Sequence, residues 1–323
     1  MSVLDGLTPE ERELAPPAPP PSTSGAMKAV LTEDHFSDPN WIYERKLDGI
    51  RCIAIRSGRD VKLLSRNDLQ ENARYPEIVE ALTNESCDQF AIDGEVVAFD
   101  GSETSFTKLV ERQQHWVPVF LYVFDITWLE GHDVRRLPLR TRKQLLRKAL
   151  HFHGNVRWTQ YRNRDGEELF KEACRKGWEG LMAKRGDSPY VTTRSRDWLK
   201  FKCTHGQELV IGGYTEPRGS RVEFGALLLG YYRDGQLEYA GKVGTGFDTD
   251  MLHELGAQMR ALRRNDPPFK DPQSIKERHV TWVEPKLVGE VGFTEWTRDG
   301  RLRHPRFLGL RDDKDASEVV REG

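Results

Sequence analysis

Glu44-Arg45-Lys46-Leu47-Asp48-Gly49-Ile50-Arg51 is the stretch on which the fold reading turns. A lysine closes one strand, Gly49 permits a tight turn, and a second strand begins at Ile50, so Lys46 is held rigidly and can point into a cleft. That is a position for a nucleophile. Taken alone, K-x-D-G also reads as a hairpin turn carrying an exposed lysine, and the surrounding chain has to decide between the two.

Outward from this stretch, short alternating or apolar runs lie between turn signals at Ile50 to Arg56, Val61 to Ser65, Phe90 to Phe99 and Val117 to Trp128. These read as strands, with a hairpin turning at Ser57-Gly58-Arg59-Asp60. Helical patterns cover Tyr75 to Thr83, Leu139 to Leu150 and Gly166 to Lys176, the last stopped by Gly177. The expected class is α+β, with largely antiparallel sheets and flanking helices. After Thr204-His205-Gly206 the texture changes to three strands in a row, from Leu209, Ala226 and Leu237. A helix capped by Asp248 or Thr249 follows, then strands around Val288 to Thr297 and Arg301 to Phe307. That is the element order of a small OB-fold β-barrel. The expected divisions are a disordered Pro-rich tail over 1–26, a first domain over 27–205 and the barrel over 206–323. The tail carries Pro16, Pro17, Pro19, Pro20 and Pro21 ahead of Ser22-Thr-Ser-Gly, and its P-x-x-P spacing leaves a docking peptide open as an alternative.

Composition bounds the function. The chain has 323 residues, room for about two domains. Lys plus Arg number 49 against 51 Asp plus Glu, a net charge of -2, so any nucleic-acid contact rests on local patches. Mean hydropathy is -0.67, a globular composition. The most apolar run, Val117 to Leu129, is interrupted by Asp125 and is shorter than the ~20 residues a bilayer requires. The opening Met1-Ser-Val-Leu-Asp-Gly carries no secretory pattern, so no membrane association and a cytoplasmic location are expected. Cys52, Cys87, Cys174 and Cys203 include no C-x-x-C pair and read as reduced thiols. His115, His132, His151, His153 and His205 show no metal-ligand spacing and read as surface or loop residues.

Further elements follow the lysine turn in order: Ser65-Arg66-Asn67, Asp93-Gly94-Glu95-Val96-Val97, Tyr122-Val123-Phe124-Asp125, Glu179-Gly180-Leu181-Met182-Ala183-Lys184-Arg185, Asp197-Trp198-Leu199-Lys200-Phe201-Lys202 and Arg311-Asp312-Asp313-Lys314. With these the chain from Met27 onward resembles the covalent nucleotidyltransferases, and specifically the ATP-dependent DNA ligases. It is most similar to the ligase module of bacterial DNA ligase D, the end-joining enzyme. That likeness is carried by Ile211-Gly-Gly-Tyr-Thr-Glu-Pro-Arg-Gly-Ser, Gly225-Ala-Leu-Leu-Leu-Gly, Gly241-Lys-Val-Gly-Thr-Gly-Phe and Leu302-Arg-His-Pro-Arg-Phe. Two departures stand out. Arg45 occupies a place where many of those proteins have proline, and no polymerase or phosphoesterase module accompanies the chain, which looks like a stand-alone ligase.

The residues give the chemistry a footing of their own. A lysine amine with a reference pKa of ~10.4 is a poor nucleophile until nearby positive charge or desolvation favours its neutral form. Lys184, Lys200, Lys202 and a bound metal would supply that charge. On a strand, Trp198, Lys200 and Lys202 share one face, the plain alternative being a solvated basic edge. Asp93 and Glu95 also share a face and, with Glu179, form a candidate site for Mg²⁺ or Mn²⁺, although paired acids are often solvent-facing charge.

The resemblance implies an ATP-grasp-like nucleotidyltransferase domain followed by the barrel. ATP is the cofactor, and Lys46 becomes adenylylated. Glu44, Arg51, Arg66, Glu95, Phe124, Lys184, Lys200 and Lys202 bind the nucleotide, Phe124 stacking on adenine and the two arginines gripping phosphate. Arg311 and Lys314 are expected at the end of an exposed basic stretch that meets the β and γ phosphates when the barrel swings about a hinge near residue 205. The implied substrate is nicked or broken double-stranded DNA, sealed through adenylylated DNA in double-strand break repair. A Ku-like end-binding partner, a monomeric state and a bacterial, nucleoid-associated location are implied too. Two other readings stay open: an RNA capping guanylyltransferase or RNA ligase, which share the lysine turn, and a catalytically silent DNA-end-binding scaffold.

Overall fold

The computed structural model describes residues 2–112, 115–203, 205–217, 219 and 221–322, with His205 described by its backbone alone. Thr204 at the expected boundary, and Arg218 and Ser220 of the 211–220 motif, lie outside the described residues. The chain divides into two compact units, Met1–Cys203 and Thr204–Gly323.

In the first unit the elements are α1 (Pro9–Glu13), β1 (Lys28–Leu31), β2 (Trp41–Lys46), β3 (Ile50–Ser57), β4 (Asp60–Ser65), α2 (Pro76–Thr83), β5 (Gln89–Val97), β6 (Phe99–Asp100), β7 (Glu103–Thr104) and α3 (Phe106–Glu111). There follow β8 (Phe120–Leu129), β9 (His132–Asp133), α4 (Leu139–Ala149), β10 (Val156–Trp158), β11 (Tyr161–Arg162), α5 (Gly166–Arg175), β12 (Gly180–Arg185) and β13 (Arg194–Lys202). Two sheets result. One runs β10-β8-β5-β3-β4 with β9 on β8, the other β1-β13-β12-β2-β11. Within them β1–β13 and β10–β8 are parallel and the remaining pairs antiparallel.

Strand alternation explains how the sheets are covered. In β3, Ile50, Cys52 and Ala54 join the main core with Ile78 and Leu82 of α2 and Leu145 and Leu146 of α4. Ile53 and Ile55, on the other face, pack with Leu64, Ala91 and Trp128. The second sheet turns Tyr43, Leu181, Ala183, Leu199 and Phe201 toward Leu169 and Ala173 of α5. Its opposite face carries Glu44 and Lys46 of the lysine stretch, and its Trp198 packs with Phe124 of the first sheet.

Residues 2–26 do not form the solvated tail expected from their proline content. Leu4, Leu7 and Ala15 are buried in the main core. Thr8 and Glu11 form a reciprocal capping box on α1. Pro17 bridges His132, Ala18 donates its N–H to the Gly131 carbonyl, and Trp128 Nε1 donates to the Ala18 carbonyl at 2.8 Å. The apolar residues ahead of the prolines supply the burial, and the extended backbone that proline favours suits an edge beside β9.

Cys174 and Cys203 also depart from the reading as reduced thiols. They are disulfide-bonded, with Cα atoms 5.2 Å apart. Spacing in sequence does not show this, because α5 folds back over the second sheet to bring its last turn beside the end of β13.

The second unit contains β14 (His205–Thr215), β15 (Leu227–Arg233), β16 (Gln236–Val243), α6 (Thr249–Ala261), β17 (Arg263–Arg264), β18 (Val280–Val283), β19 (Val288–Phe293), β20 (Glu295–Trp296), β21 (Leu302–Arg303) and β22 (Arg306–Leu310). The long β14 pairs with β15 on one side; on the other its first half, 205–210, pairs with β19 and its end, 213–215, with β18. β19 also pairs with β22. This branching curls the sheet around Leu209, Ile211, Leu229, Val243, Leu255, Val291 and Phe307, an OB-fold-like unit. Asp248 caps α6, accepting from Met251 N at 2.8 Å.

Candidate active site

Three rows of cross-strand neighbours organise one face of the second sheet. Lys46, Gly180 and Lys202 form the first, Glu44, Met182 and Lys200 the second, and Ile42, Lys184 and Trp198 the third. Because side chains two apart on a strand share a face, the nucleophile candidate and Lys184, Lys200 and Lys202 project the same way. Gly180 sits between Lys46 and Lys202 with φ at +149°, and a Cβ there would come 1.8 Å from the Phe201 carbonyl oxygen. Gly49 is fixed by close approach: a Cβ would lie 2.3 Å from the Val96 carbonyl oxygen. Asp48 anchors the same turn, accepting from Phe106 N at 3.0 Å while its own N–H donates to Thr104 Oγ1 at 3.1 Å.

Lys46 Nζ donates to Glu179 Oε1, and Glu179 Oε2 is buried without a hydrogen-bond partner among the described residues. The Glu179 main-chain carbonyl accepts from Cys203 N at 2.9 Å, which fixes the start of β12 against the end of β13.

On the first sheet Arg51 is paired in register with Glu95, and Glu95 with Tyr122. Arg51 Nε and Nη2 donate to the two carboxylate oxygens of Asp93, and Nη2 also donates to the Met27 carbonyl at 3.2 Å. Tyr190 Oη donates to Asp93 Oδ2 at 2.8 Å and accepts from Met27 N at 3.0 Å. Burial opposes the Arg51 charge, but Asp93 outweighs it and raises the guanidinium pKa. Burial and then Asp93 push the Tyr190 hydroxyl well up.

This arrangement corrects the expected metal triad. Among the described residues no group of three or more His, Cys, Asp or Glu side chains is placed to hold a metal ion. Asp93 is fully buried with its oxygens engaged by Arg51 and Tyr190, while Glu179 belongs to the other sheet.

Between the sheets lies an aromatic and charged cluster. Phe124 and Trp198 meet edge to face with centroids 6.0 Å apart, and Lys184 Nζ is 4.0 Å from each ring centroid. Lys184 also pairs with Glu44 Oε2 at 2.6 Å, and Lys143 of α4 donates to Glu44 Oε1. All three charged groups are almost wholly buried. Burial lowers the Lys184 ammonium to about 8, Glu44 resisting and Lys143 adding to the shift. Beneath them Arg142 holds Asp125 through two bonds of 2.8 and 2.9 Å, both side chains fully buried. Arg66 follows β4, where its carbonyl accepts from Ser24 Oγ at 3.0 Å.

Arg311 and Lys314 belong to the second unit, and the exposed basic end expected there is not what the structure shows. Arg311 is bound to Asp313 at 2.8 and 2.9 Å and lies 3.2 Å from Glu290, while Lys314 pairs with Glu208 at 2.6 Å. Asp313 is buried, and burial of Arg311 is overcome by Asp313, so the guanidinium pKa is raised well above its ordinary value. The reason is β22, which delivers the motif onto the carboxylates of β14 and β19.

A family model described as ATP dependent DNA ligase domain matches residues 23–202, more than half of the chain, and one described as ATP dependent DNA ligase C terminal region matches 220–314. The chain belongs to the ATP-dependent DNA ligases. It is 35% identical over 337 residues to the multifunctional non-homologous end joining protein LigD of Pseudomonas aeruginosa, covering 98% of this chain and 40% of that protein. The multifunctional non-homologous end joining DNA repair protein LigD of Mycobacterium tuberculosis is 37% identical over 290 residues, 87% of this chain and 37% of that one. The chain thus spans about two fifths of the length of these relatives. A solved structure of mycobacterial DNA ligase D complexed with ATP and MES superposes with a TM-score of 0.65 at 32% identity, covering 93% of this chain and 99% of that one.

Some residues of this ligase-family site escaped sequence reading. Tyr190 lies in the loop between β12 and β13, outside every motif, and only the fold brings it to Asp93. Lys143, a charged residue on α4 that no motif includes, is buried against Glu44. No sequence signal marks the first. For the second, the cue is a charged residue flanked by Arg142 on a helix whose neighbours are core leucines.

Proposed function

We propose that this chain joins DNA strands using ATP, through a covalent lysyl-AMP. Lys46, as the free amine, attacks the α phosphorus of ATP; the N–P bond forms, the bond to pyrophosphate breaks, and the amine proton passes to solvent. A 5′-phosphate at a DNA break then displaces Lys46 from AMP, and a 3′-hydroxyl displaces AMP to close the strand. The observation that supports this most is the single face carrying Lys46, Lys184, Lys200 and Lys202, with Glu179 on Lys46. Cationic side chains placed around a triphosphate stabilise charge that builds on it during in-line displacement. Phe124 is assigned to the adenine ring, and Glu44 to holding Lys184 and Lys143 in place for the nucleotide.

Glu179, whose Oε2 is buried without a partner among the described residues, is the carboxylate that fits a divalent cation, and we assign Glu95 to the same ion; Asp93, bound by Arg51 and Tyr190, does not fit it. One or two carboxylates suffice for Mg²⁺ when substrate phosphates and water complete its shell, and the ion would neutralise triphosphate charge. Arg311 and Lys314 are assigned to the first step, orienting pyrophosphate. The substrate is nicked or broken duplex DNA, and the role is double-strand break repair by end joining, with a Ku-like end-binding partner and a monomeric enzyme. No helix among the described residues is long and apolar enough to cross a membrane. The location we assign is the bacterial cytoplasm, at the nucleoid.

Incubation of wild type and Lys46→Ala with α-labelled ATP or GTP, followed by denaturation, tests the reading. Label from ATP alone, absent in the variant, is expected. Label from GTP would favour the capping chemistry instead, and no label on folded, unadenylylated protein would overturn the assignment.

A further inference from the structure

Arg45 stands beside the nucleophile on β2, and the reaction above gives it no task. On β2 it shares a face with Tyr43, opposite Glu44 and Lys46. Its side chain opens into a pocket of about 420 Å³, which Arg157, Tyr122, Trp158, Tyr161 and Trp178 also line. The guanidinium carbon lies 4.7 Å from the Trp178 ring centroid. Nε and Nη2 of Arg45 are buried and have no hydrogen-bond partner among the described residues. Burial lowers the Arg45 pKa, with Tyr122 and then Glu103 opposing at longer range.

The rest of the lining deepens the asymmetry. It contains no aspartate or glutamate. Arg162 at its edge is already paired with Glu172 at 3.3 Å, whereas Arg157 lies over the face of Phe120 at 5.2 Å and forms no ion pair among the described residues. Two arginines therefore face a common space without a carboxylate in it. Buried donors of this kind are ordinarily satisfied, so the pair of them marks a place where an acceptor from outside the chain would be bound. A guanidinium presents a planar fork of donors to phosphate oxygens, which suits them better than an ammonium would.

We propose that this pocket is a second nucleotide site: it takes an unpaired phosphorylated nucleotide, the phosphate on Arg45 and Arg157 and the base among Tyr122, Trp158 and Tyr161. Aromatic plates beside arginines are how proteins hold bases that have left the stack, whereas a paired base offers them no face. The volume suits a ligand of this size, since small-molecule pockets run from about 300 to 1,000 Å³. Two sources share the chemistry, a free mononucleotide and an unpaired nucleotide near a strand end. Only the second rests on the DNA-joining reading, while the charge and the aromatic lining do not.

Fluorescence titration of the full chain in EDTA without ATP, which would itself compete for a site of this chemistry, tests the site with thymidine monophosphate and a 5′-phosphorylated thymidine tetranucleotide as probes. Arg45→Gln and Arg157→Gln should each weaken binding by about tenfold or more, and Lys46→Ala should leave it unchanged. Arg157 lies away from β2, so its variant answers even if Arg45→Gln folds poorly. Equal affinity for both probes would assign the site to a free nucleotide, and preference for the tetranucleotide to a DNA strand. No binding by wild type, or binding untouched by both arginine variants, would overturn the proposal. Arginine-dependent binding in a protein that takes no label from ATP would sink the ligase reading while the pocket stands.

Discussion

Asp93 shows how a residue can be placed correctly on a strand and still be assigned the wrong partner. Alternation put Asp93 and Glu95 on one face, but spacing along β5 carries no information about Tyr190 or the Met27 carbonyl, which reach Asp93 and Arg51 through the tertiary fold. Removing the charge at Asp93 leaves Arg51 uncompensated in a site where Asp93 is fully buried. Breaking one side of such a pair costs about 3–5 kcal/mol, and the partial exposure of Arg51 sets the lower end. Asp93→Asn should therefore lower unfolding free energy by about 3 kcal/mol in urea titrations, and a neutral result would show that the pair is solvated. Lys184 gives a pH signature. Its pKa of about 8 in the folded chain lies below the 10.5 of an unperturbed lysine. Between those values the unfolded chain binds more protons, so stability rises with pH, and the burden is full below 8. From pH 8 to 9 wild type should gain about 1 kcal/mol relative to Lys184→Met. The raised Cys52 thiol acts in the opposite direction above its ordinary value of 9.0 and is common to both proteins, so it drops out of the comparison. Parallel curves would mean that Lys184 is not the titrating group.

Elements were legible where periodicity runs for several residues. β3, β4, β5, β8, α2, α4 and α5 lie where alternation and helical spacing put them, with ends displaced by a few residues. The short strands β6, β7, β9, β11, β17, β20 and β21 span two residues each, too few to show a period. At the amino terminus, proline count outweighed Leu4 and Leu7 in the reading, although two buried leucines and a capped turn are enough to dock a segment onto an existing core. The cysteines fail for a related reason: a disulfide between a helix end and a strand end depends on how α5 crosses the second sheet. Thiol titration of the denatured, unreduced chain should find two free thiols, Cys52 and Cys87. Four would mean that Cys174 and Cys203 are reduced in the isolated protein.

At the scale of the whole molecule, the proposed reaction divides its requirements between two units. The first carries Lys46 and the cationic face around it; the second carries Arg311 and Lys314 on its own carboxylates. The order of motifs made both units legible, because each motif closes or follows a strand whose alternation sets a face. The environment of the last motif was not legible, since Glu208 and Glu290 that bind it come from strands about a hundred and about twenty residues earlier. Arg311 is a poor probe of mechanism, because removing it takes two hydrogen bonds from the buried Asp313 and one from Glu290. Lys314 is a better one, for Glu208 keeps Arg311 3.9 Å away when Lys314 is lost. If the motif orients pyrophosphate, Lys314→Ala should slow labelling of Lys46 by about tenfold or more, a barrier change of about 1.4 kcal/mol. Sealing of a nick supplied with AMP already on its 5′-phosphate should stay within about twofold of wild type, because no pyrophosphate leaves in that step. Equal losses in both assays, with earlier unfolding of the second unit, would make Lys314 a structural member of the Glu208 network.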